Sequence, residues 1–268
     1  MAEQKKRLSS ISELKAEFRG VLKQLTNRYS YGEVWADFAE IVAIVVHQSA
    51  FMNPFIEQAF EQGIVSEDHV EKLRAITIPR DERWQRLEDR YMTYVPKYGA
   101  EGLNLITQLY SITSQAVEGH RCDFLGPLYM ELDLSGSEQR SKRGEFFTPP
   151  ALSHLMAAMQ MFDISEVLER QGYVTLQEPT CGAGGMPIAF AEELEKAGHD
   201  PREVLFVEAM DINRTFWNMC YIQLSMLDIP ARLWCGDTLL LEFQEMRETP
   251  QLMLSRYHWE KNPGFHML

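Results

Sequence analysis

The chain has 268 residues, of which 45% are hydrophobic and 24% are charged, and this composition excludes a wholly disordered chain. Its net charge of −13 repels polyanions at long range, so contact with nucleic acid would need a local basic patch or a basic partner. The longest apolar run, Ile41–Val46, is too short to span a bilayer, and no apolar segment follows the charged N-terminus. We therefore expect no membrane contact and a cytoplasmic location.

The first 135 residues predict a helical domain. Apolar residues recur three and four apart from Leu14 to Leu25, and the run Val34–Phe51 is apolar on most faces, which predicts a buried helix. Further helices are predicted from Ser66, over Gly102–Val117 and over Cys122–Leu134. No strand-like alternation precedes residue 172.

The pattern changes after residue 172 to strand alternating with helix. Short β-rich runs end at Leu176, Val207 and Cys235, and helices are predicted over Gly185–Ala197 and Asn213–Leu227 between them. This order is typical of a parallel α/β sheet. We place the boundary in the polar segment between residues 135 and 144, which gives a helical domain over 1–135 and an α/β domain over 136–268.

Each of the three predicted strands ends in residues suited to a ligand. A glycine-rich turn, Gln177–Gly185, follows the first strand, Asp211 follows the second, and Asp237 follows the third. In open parallel sheets, ligands bind at this edge, and an acid after the second strand commonly holds ribose hydroxyls. Three simpler interpretations stay open: a tight strand-to-helix connection, an N-cap at Asp211 or Asn213, and an ordinary turn at Asp237.

The turn sequence narrows the class of ligand. It lacks the Lys-Ser/Thr pair of a phosphate-binding loop, and its three glycines do not form the dinucleotide pattern GxGxxG. An adenosyl ligand without phosphates fits better, which predicts S-adenosylmethionine. The four cysteines show no CxxC pairing and the histidines show no metal-ligand spacing, so we predict no metal site.

Four segments in order resemble the adenine-N6 DNA methyltransferases, specifically the modification subunits of type I restriction-modification systems and their phage and plasmid relatives. The segments are Gly144-Glu-Phe-Phe-Thr-Pro-Pro150, Glu178-Pro-Thr-Cys-Gly-Ala-Gly-Gly185, Asp211-Ile-Asn213 and Gly236-Asp-Thr-Leu239, and Asp123-Phe-Leu-Gly-Pro-Leu-Tyr129 is similar to the family's lead-in. The resemblance implies a Rossmann-like methyltransferase domain that uses S-adenosylmethionine.

The resemblance also implies roles for individual residues. Phe147 and Thr148 would hold the methionine end of the cofactor, and Glu178, where the family usually has Asp, would help to bind its amino-acid part. The turn would pass under the cofactor backbone, Asp211 would bind the ribose and Asp237 the adenine amine. The predicted cofactor-binding residues are Phe147, Thr148, Glu178, Cys181, Gly182, Gly184, Asp211 and Asp237.

The family's catalytic tetrapeptide, Asn/Asp-Pro-Pro-Tyr/Phe, is not intact in this sequence. Its chemistry needs two acceptors for the adenine amine and an aromatic ring that stacks on the flipped base. Asn262, Pro263 and Phe265 are the predicted catalytic residues, while Leu252–Ser255 resembles the apolar strand that leads into the tetrapeptide. An ordinary turn in a tail is the alternative for Asn262–Phe265.

The resemblance implies DNA as the substrate. Because the predicted sheet has fewer strands than the family's, we also expect a specificity subunit, another partner subunit or a homodimer. The predicted function is methylation of N6 of a flipped adenine in DNA. The alternative is a non-catalytic, methyltransferase-like module that binds the cofactor or a partner and modulates a restriction or methylation system.

Overall fold

The computed structural model describes residues 9–49, 82–132 and 146–253, and helices form every regular element described before residue 174. Four of them come from the N-terminal half: α1 (Ile11–Leu25), α2 (Tyr31–Ser49), α3 (Glu82–His120, kinked at Gly99) and α4 (Leu125–Leu132). Two more, α5 (Pro150–Met159) and α6 (Ile164–Gln171), precede the sheet and were not predicted. The helix predicted from Ser66 lies outside the described residues.

Capping and apolar spacing explain the first two helices. Ser10 accepts a hydrogen bond from the backbone N–H of Glu13, and Glu13 bonds back to Ser10, which completes a capping box at the start of α1. The apolar face of α1 is buried, as its spacing predicts. Helix α2 is buried on most faces because it lies between α1, α3 and a helix of the sheet layer, which confirms the prediction for this segment.

The second half contains a four-stranded sheet in the order β1-β2-β3-β4. Its elements are β1 (Val174–Glu178), α7 (Gly185–Lys196), α8 (Pro201–Val204), β2 (Leu205–Asp211), α9 (Arg214–Met226), β3 (Ala231–Asp237) and β4 (Glu242–Glu248). Strands β1 to β3 are parallel, which confirms the predicted α/β fold, and their carboxyl ends meet at one edge. Strand β4 runs antiparallel to β3.

One prediction about the fourth strand is wrong. Leu252 and Met253 belong to a helical segment, residues 250–253, and not to the apolar strand expected over Leu252–Ser255. The fourth strand is Glu242–Glu248 instead. Its sequence, Glu-Phe-Gln-Glu-Met-Arg-Glu, is mostly polar, and within the described sheet it pairs with β3 on one side only, so it lacks the apolar run of a central parallel strand.

One large hydrophobic cluster joins the helical layer to the sheet, and a second, small cluster consists of Tyr173, Phe206 and Leu252. Helix α9 lies between α2 and strands β2 and β3, and Trp35 of α2 donates its indole N–H to the Met219 sulfur at 3.3 Å. The division into domains at residue 135 remains a prediction, and the core it would separate is continuous. Among the described residues, no helix combines the length and apolar character that crossing a membrane would require.

A charged network reinforces the same junction. Glu245 of β4 accepts hydrogen bonds from Arg90 of α3 and Arg214 of α9, and Arg247 bonds to Glu245 at 2.6 Å. Burial alone would raise the pKa of Glu245, but the neighbouring cations outweigh it and lower the pKa to about 2. The network therefore holds β4 against α3 of the helical layer and α9 of the sheet layer while the Glu245 carboxylate is charged.

Candidate functional site

A cleft of about 550 Å³ opens at the carboxyl edge of the parallel strands. This volume falls within the range of roughly 300–1,000 Å³ that is usual for small-molecule sites. Residues from the three strand ends line it together with residues from the segments before α4 and α5, and they include Asp123, Phe146, Phe147, Thr148, Glu178, Pro179, Thr180, Cys181, Gly182, Asp211, Asn213, Phe216, Asp237 and Thr238. Seven of the eight predicted cofactor residues are thus in one place.

The eighth residue, Gly184, supports the cleft from behind. It is the N-cap of α7 and has a left-handed backbone, and its N–H donates to the carbonyl of Cys181 at 2.8 Å. Cys181 is buried and donates its own N–H to the carbonyl of Met210 at 2.8 Å. The glycine-rich turn is therefore fastened to the end of β2 by backbone hydrogen bonds.

Asp211 fastens the same turn with its side chain. Its Oδ2 accepts the N–H of Gly182 and its Oδ1 accepts the N–H of Asn213, both at 2.8 Å. The alternative that Asp211 caps the following helix is wrong, because Asn213 is the N-cap and accepts from the N–H groups of Thr215 and Phe216. Asp211 thus lines the cleft, and the backbone N–H groups of Gly182 and Asn213 orient its carboxylate.

Asp237 lines the cleft from the end of β3, the strand next to that of Asp211. Its Oδ1 accepts the N–H groups of Leu239 and Leu240 at 2.9 and 3.0 Å, which shapes the turn after β3. The neighbouring Thr238 hydroxyl donates to the carbonyl of Pro179 at 2.9 Å and so links the turns that follow β3 and β1. The turn interpretation of Asp237 and a place in the cleft are therefore compatible.

Phe147 forms one wall, and the glycine turn is shaped around it. The ring packs edge-on against Phe216, with centroids 4.8 Å apart, and against Tyr129 at 5.6 Å. Gly182 has φ of +53°, and a Cβ at that position would lie 2.9 Å from the Phe147 ring. Only glycine satisfies both the left-handed backbone and the close approach. Thr148 follows at the rim and is exposed.

Sequence reasoning assigned no site role to Asp123 or Gln223. Asp123 lies just before α4 and accepts at Oδ1 from the Gly126 N–H and the Gln223 amide, both at 2.9 Å, while its Oδ2 faces Gly185 at the start of α7. Gln223 is fully buried and also donates to the carbonyl of Ala183 at 2.7 Å. Two signals in the sequence could have identified them. Asp123 is an acid at the start of a segment that resembles the family's, and Gln223 is a polar residue inside an apolar helix.

The electrostatics of the cleft favour a cationic ligand. Its described lining carries four carboxyl groups, from Asp123, Glu178, Asp211 and Asp237, and no lysine, arginine or histidine. Burial raises the pKa of Asp123, and burial together with the charge of Asp211 raises the pKa of Glu178. Gathered carboxylates repel phosphate and attract a positive charge, while their oxygens accept from hydroxyls and amines.

The sequence model of the family described as N-6 DNA Methylase matches residues 121–264, which is more than half of the chain. The chain belongs to this family. In this N-6 DNA methylase family member, the matched residues include the whole described cleft, from Asp123 to Leu239. The resemblance seen in the four sequence segments is thereby confirmed, and the family is one of DNA methyltransferases.

Two solved structures are similar to this family member. The first is the methyltransferase subunit of a type I restriction-modification system from Streptococcus thermophilus, with 16% identity over 87% of this chain and 59% of that chain, and a TM-score of 0.44. The second, from Listeria monocytogenes, is described as a class I S-adenosylmethionine-dependent methyltransferase, with 15% identity over 85% and 55% of the chains and a TM-score of 0.35. No curated protein matches the chain.

The chain spans less than two thirds of the length of either solved structure, and the family assignment depends on the family match alone. The predicted catalytic residues Asn262, Pro263 and Phe265 of this N-6 DNA methylase family member lie outside the described residues. Within residues 9–49, 82–132 and 146–253, no three His, Cys, Asp or Glu side chains are grouped to hold a metal ion.

Proposed function

We propose that this chain is an S-adenosylmethionine-dependent DNA adenine-N6 methyltransferase, or the catalytic-type subunit of one. The single observation that carries the proposal is the cleft with four carboxyl groups and no basic side chain among its described lining residues. S-adenosylmethionine has a cationic sulfonium and ammonium, two ribose hydroxyls and an adenine amine, and it has no phosphate. Its chemistry therefore complements the cleft, whereas a dinucleotide would place phosphates beside carboxylates.

We assign the two outer acids to the adenosine. Asp211 is held at the end of β2 with both oxygens oriented, and because a carboxylate oxygen can accept more than one hydrogen bond, it can also accept from the ribose hydroxyls. Asp237, at the end of the neighbouring strand β3, would accept from the adenine amine, since Leu239 and Leu240 occupy only its Oδ1 among the described contacts.

We assign the inner part of the cleft to the methionine portion. Glu178 at the end of β1 and the Oδ2 of Asp123, which faces Gly185 at the start of α7, would face the ammonium group. Gly182 lets the chain pass close to the cofactor, and Cys181 and Gly184 hold the turn in place. Phe147 and Thr148 would cover this end from the side of α5.

When bound, the cofactor supplies the methyl group that is transferred. The protein's part is to position the adenine amine against it, which is the main source of rate in such a transfer. Asn262 and the carbonyl of Pro263 would accept the two hydrogens of the amine, and Phe265 would stack on the flipped base. The net charge of −13 leaves most DNA affinity to a specificity subunit, another partner subunit or a second copy. A DNA substrate would place the protein in the cytoplasm.

Two measurements test the proposal. The first is calorimetric titration of S-adenosylmethionine into the purified chain and into the Asp211→Ala variant, with Asp163→Ala as control because Asp163 is exposed and outside the cleft. We expect binding that Asp211→Ala abolishes and Asp163→Ala preserves. Absence of binding by the wild type, alone and with a modification-system partner, would contradict the proposed cofactor.

The second measurement is mass spectrometry of nucleosides from DNA incubated with the protein and S-adenosylmethionine. We expect N6-methyladenine with the wild type and much less with Asp237→Ala. A transferred methyl group on cytosine, or none under any partner or DNA condition, would contradict adenine-N6 methylation.

The non-catalytic module is the second candidate, and the path of the chain after β4 favours it. Residues 250–253 are helical where a strand leading to the catalytic tetrapeptide was expected. This candidate predicts cofactor binding that Asp211→Ala abolishes, together with no methyl transfer and direct binding to a restriction or methylation subunit. Transfer by the purified chain would exclude it.

A further inference from the structure

Helix α5 has its large apolar residues on the wrong side for a surface helix. Ser153 and Ala157, one turn apart, are almost fully buried and face α7. The large side chains point to solvent instead, with exposed fractions of 46% for Leu152, 57% for Leu155, 42% for Met156, 73% for Met159 and 99% for Phe162 just beyond the helix. We call these five residues the α5 stripe.

The spacing of the α5 stripe is that of one helix face. Positions 152, 155, 156 and 159 are separated by three and four residues, so their side chains form a continuous row. A surface helix normally turns such a row toward the core. Contiguous exposed apolar surface of this kind marks a site where another molecule binds, and leucines and methionines suit a surface that adapts to its partner.

The surroundings of the α5 stripe are acidic. The exposed charged residues of the α6 segment next to Phe162 are Asp163, Glu166, Glu169 and Arg170, three acids against one arginine. Glu192 and Glu193 of α7 lie within 3.8 and 3.6 Å of His154, on the side of α5 that is turned away from the stripe, so the acids next to the stripe are those of α6.

We propose that the α5 stripe is a docking surface for a basic amphipathic helix of a partner protein. Apolar residues of that helix would cover the stripe, and its lysines or arginines would face the acids of α6. A strongly acidic occupant would be repelled by these carboxylates and by the net charge of −13. Because α5 begins two residues after Thr148, the docked helix would lie beside the cleft.

The test measures fluorescence anisotropy of a labelled synthetic peptide that has leucines on one helical face and lysines on the other. Two control peptides have the same composition in scrambled order, or glutamate in place of lysine. The full chain is compared with Met159→Ser, Phe162→Ser and Glu166→Lys. Met92→Ser is the matched control, because Met92 is 51% exposed on α3, away from the stripe.

We expect the leucine-lysine peptide to bind, and each of the three stripe-side variants to weaken it, by about tenfold for Met159→Ser and Phe162→Ser since each removes a buried apolar contact. Met92→Ser should bind like the wild type, and all variants should keep the wild-type thermal midpoint because the changed residues are exposed. The scrambled and glutamate peptides should bind far more weakly.

Three results would overturn the proposal. One is equal binding of all three peptides, or equal loss in Met92→Ser and Met159→Ser, since either would indicate attraction by the overall charge alone. Another is no binding of the leucine-lysine peptide. The third is a dimer detected by light scattering that Met159→Ser abolishes and that excludes the peptide, because the occupant would then be a second copy of this chain.

Discussion

Replacing Gly182 by alanine should destabilise the protein and close the cleft at the same position. An alanine there keeps a φ of +53°, which costs about 1 kcal/mol relative to glycine. Its Cβ would also lie 2.9 and 3.0 Å from two atoms of the Phe147 ring, closer than the ordinary contact range of 3.4–4 Å. Phe147 cannot withdraw freely, since Phe216 and Tyr129 pack against it. Such overpacking adds about 1–3 kcal/mol, so we expect a total near 2–4 kcal/mol.

Gly198→Ala is the matched control for this experiment. Gly198 also has a left-handed backbone, with φ of +88°, but a Cβ added there would meet no atom within 4 Å. We therefore expect only the backbone cost of about 1 kcal/mol. Urea denaturation of both variants gives the two free energies of unfolding, and calorimetry gives their affinities for S-adenosylmethionine.

The comparison isolates the contact between the turn and the ring. We expect Gly182→Ala to lose cofactor affinity and Gly198→Ala to retain it. In the Gly182→Ala background, Phe147→Leu should cost less than it does alone, because the collision has already displaced the ring. Equal free energies of unfolding for the two glycine variants, with equal affinities, would refute the reasoning that the turn is shaped around Phe147.

Three further predictions concern the acids. Asp211→Asn should weaken S-adenosylmethionine binding by about tenfold or more in calorimetry, because one of two charge-assisted hydrogen bonds that hold the turn is lost. Binding of S-adenosylmethionine by the wild type should weaken from pH 7 to pH 5, since the raised pKa of Glu178 lets a proton compete with the cationic ligand. Glu178→Gln should bind more weakly than the wild type at pH 7 and should show a flatter pH profile. Glu245 has a pKa near 2 against an ordinary 4.5, so its charged form contributes on the order of 3 kcal/mol to the free energy of unfolding. This contribution is present above pH 4.5 and is lost as the pH falls toward 2. The urea midpoints of the wild type and of Glu245→Gln should therefore converge in that interval.

The sequence predicted the elements whose residues carry a periodic signal. Leu14–Leu25 and the apolar run from Val34 gave helices because their burial depends on local spacing, and the three parallel strands followed from buried β-rich runs. Strand β4 was missed because its pairing with β3 is set by tertiary structure and its own residues are polar. Helix α5 was missed although its apolar positions 152, 155, 156 and 159 have helical spacing, so the signal was present and was not read.

The candidate site divides in the same way. Positions at strand ends could be predicted, because parallel strands bring their carboxyl ends to one edge whatever the rest of the fold does. The hydrogen-bond partners of each acid could not be predicted, and the N-cap of α9 is Asn213 and not Asp211. Asp123 could not be assigned at all, because its place in the cleft is set by contacts with residues far along the chain, such as Gly185 and Gln223.

Through those contacts the helical layer supports the cleft. Gln223 of α9 accepts the N–H groups of Phe124 and Leu125 at 2.8 and 3.0 Å, and donates to Asp123 and to the carbonyl of Ala183. One buried amide therefore uses both donors and its acceptor to join the start of α4 to the glycine-rich turn. Since a buried amide that loses its partners costs more than the bonds contribute, the two segments hold their positions together. A ligand that binds the turn must then also stabilise the attachment of α4, and through the shared core, of the helices packed on it.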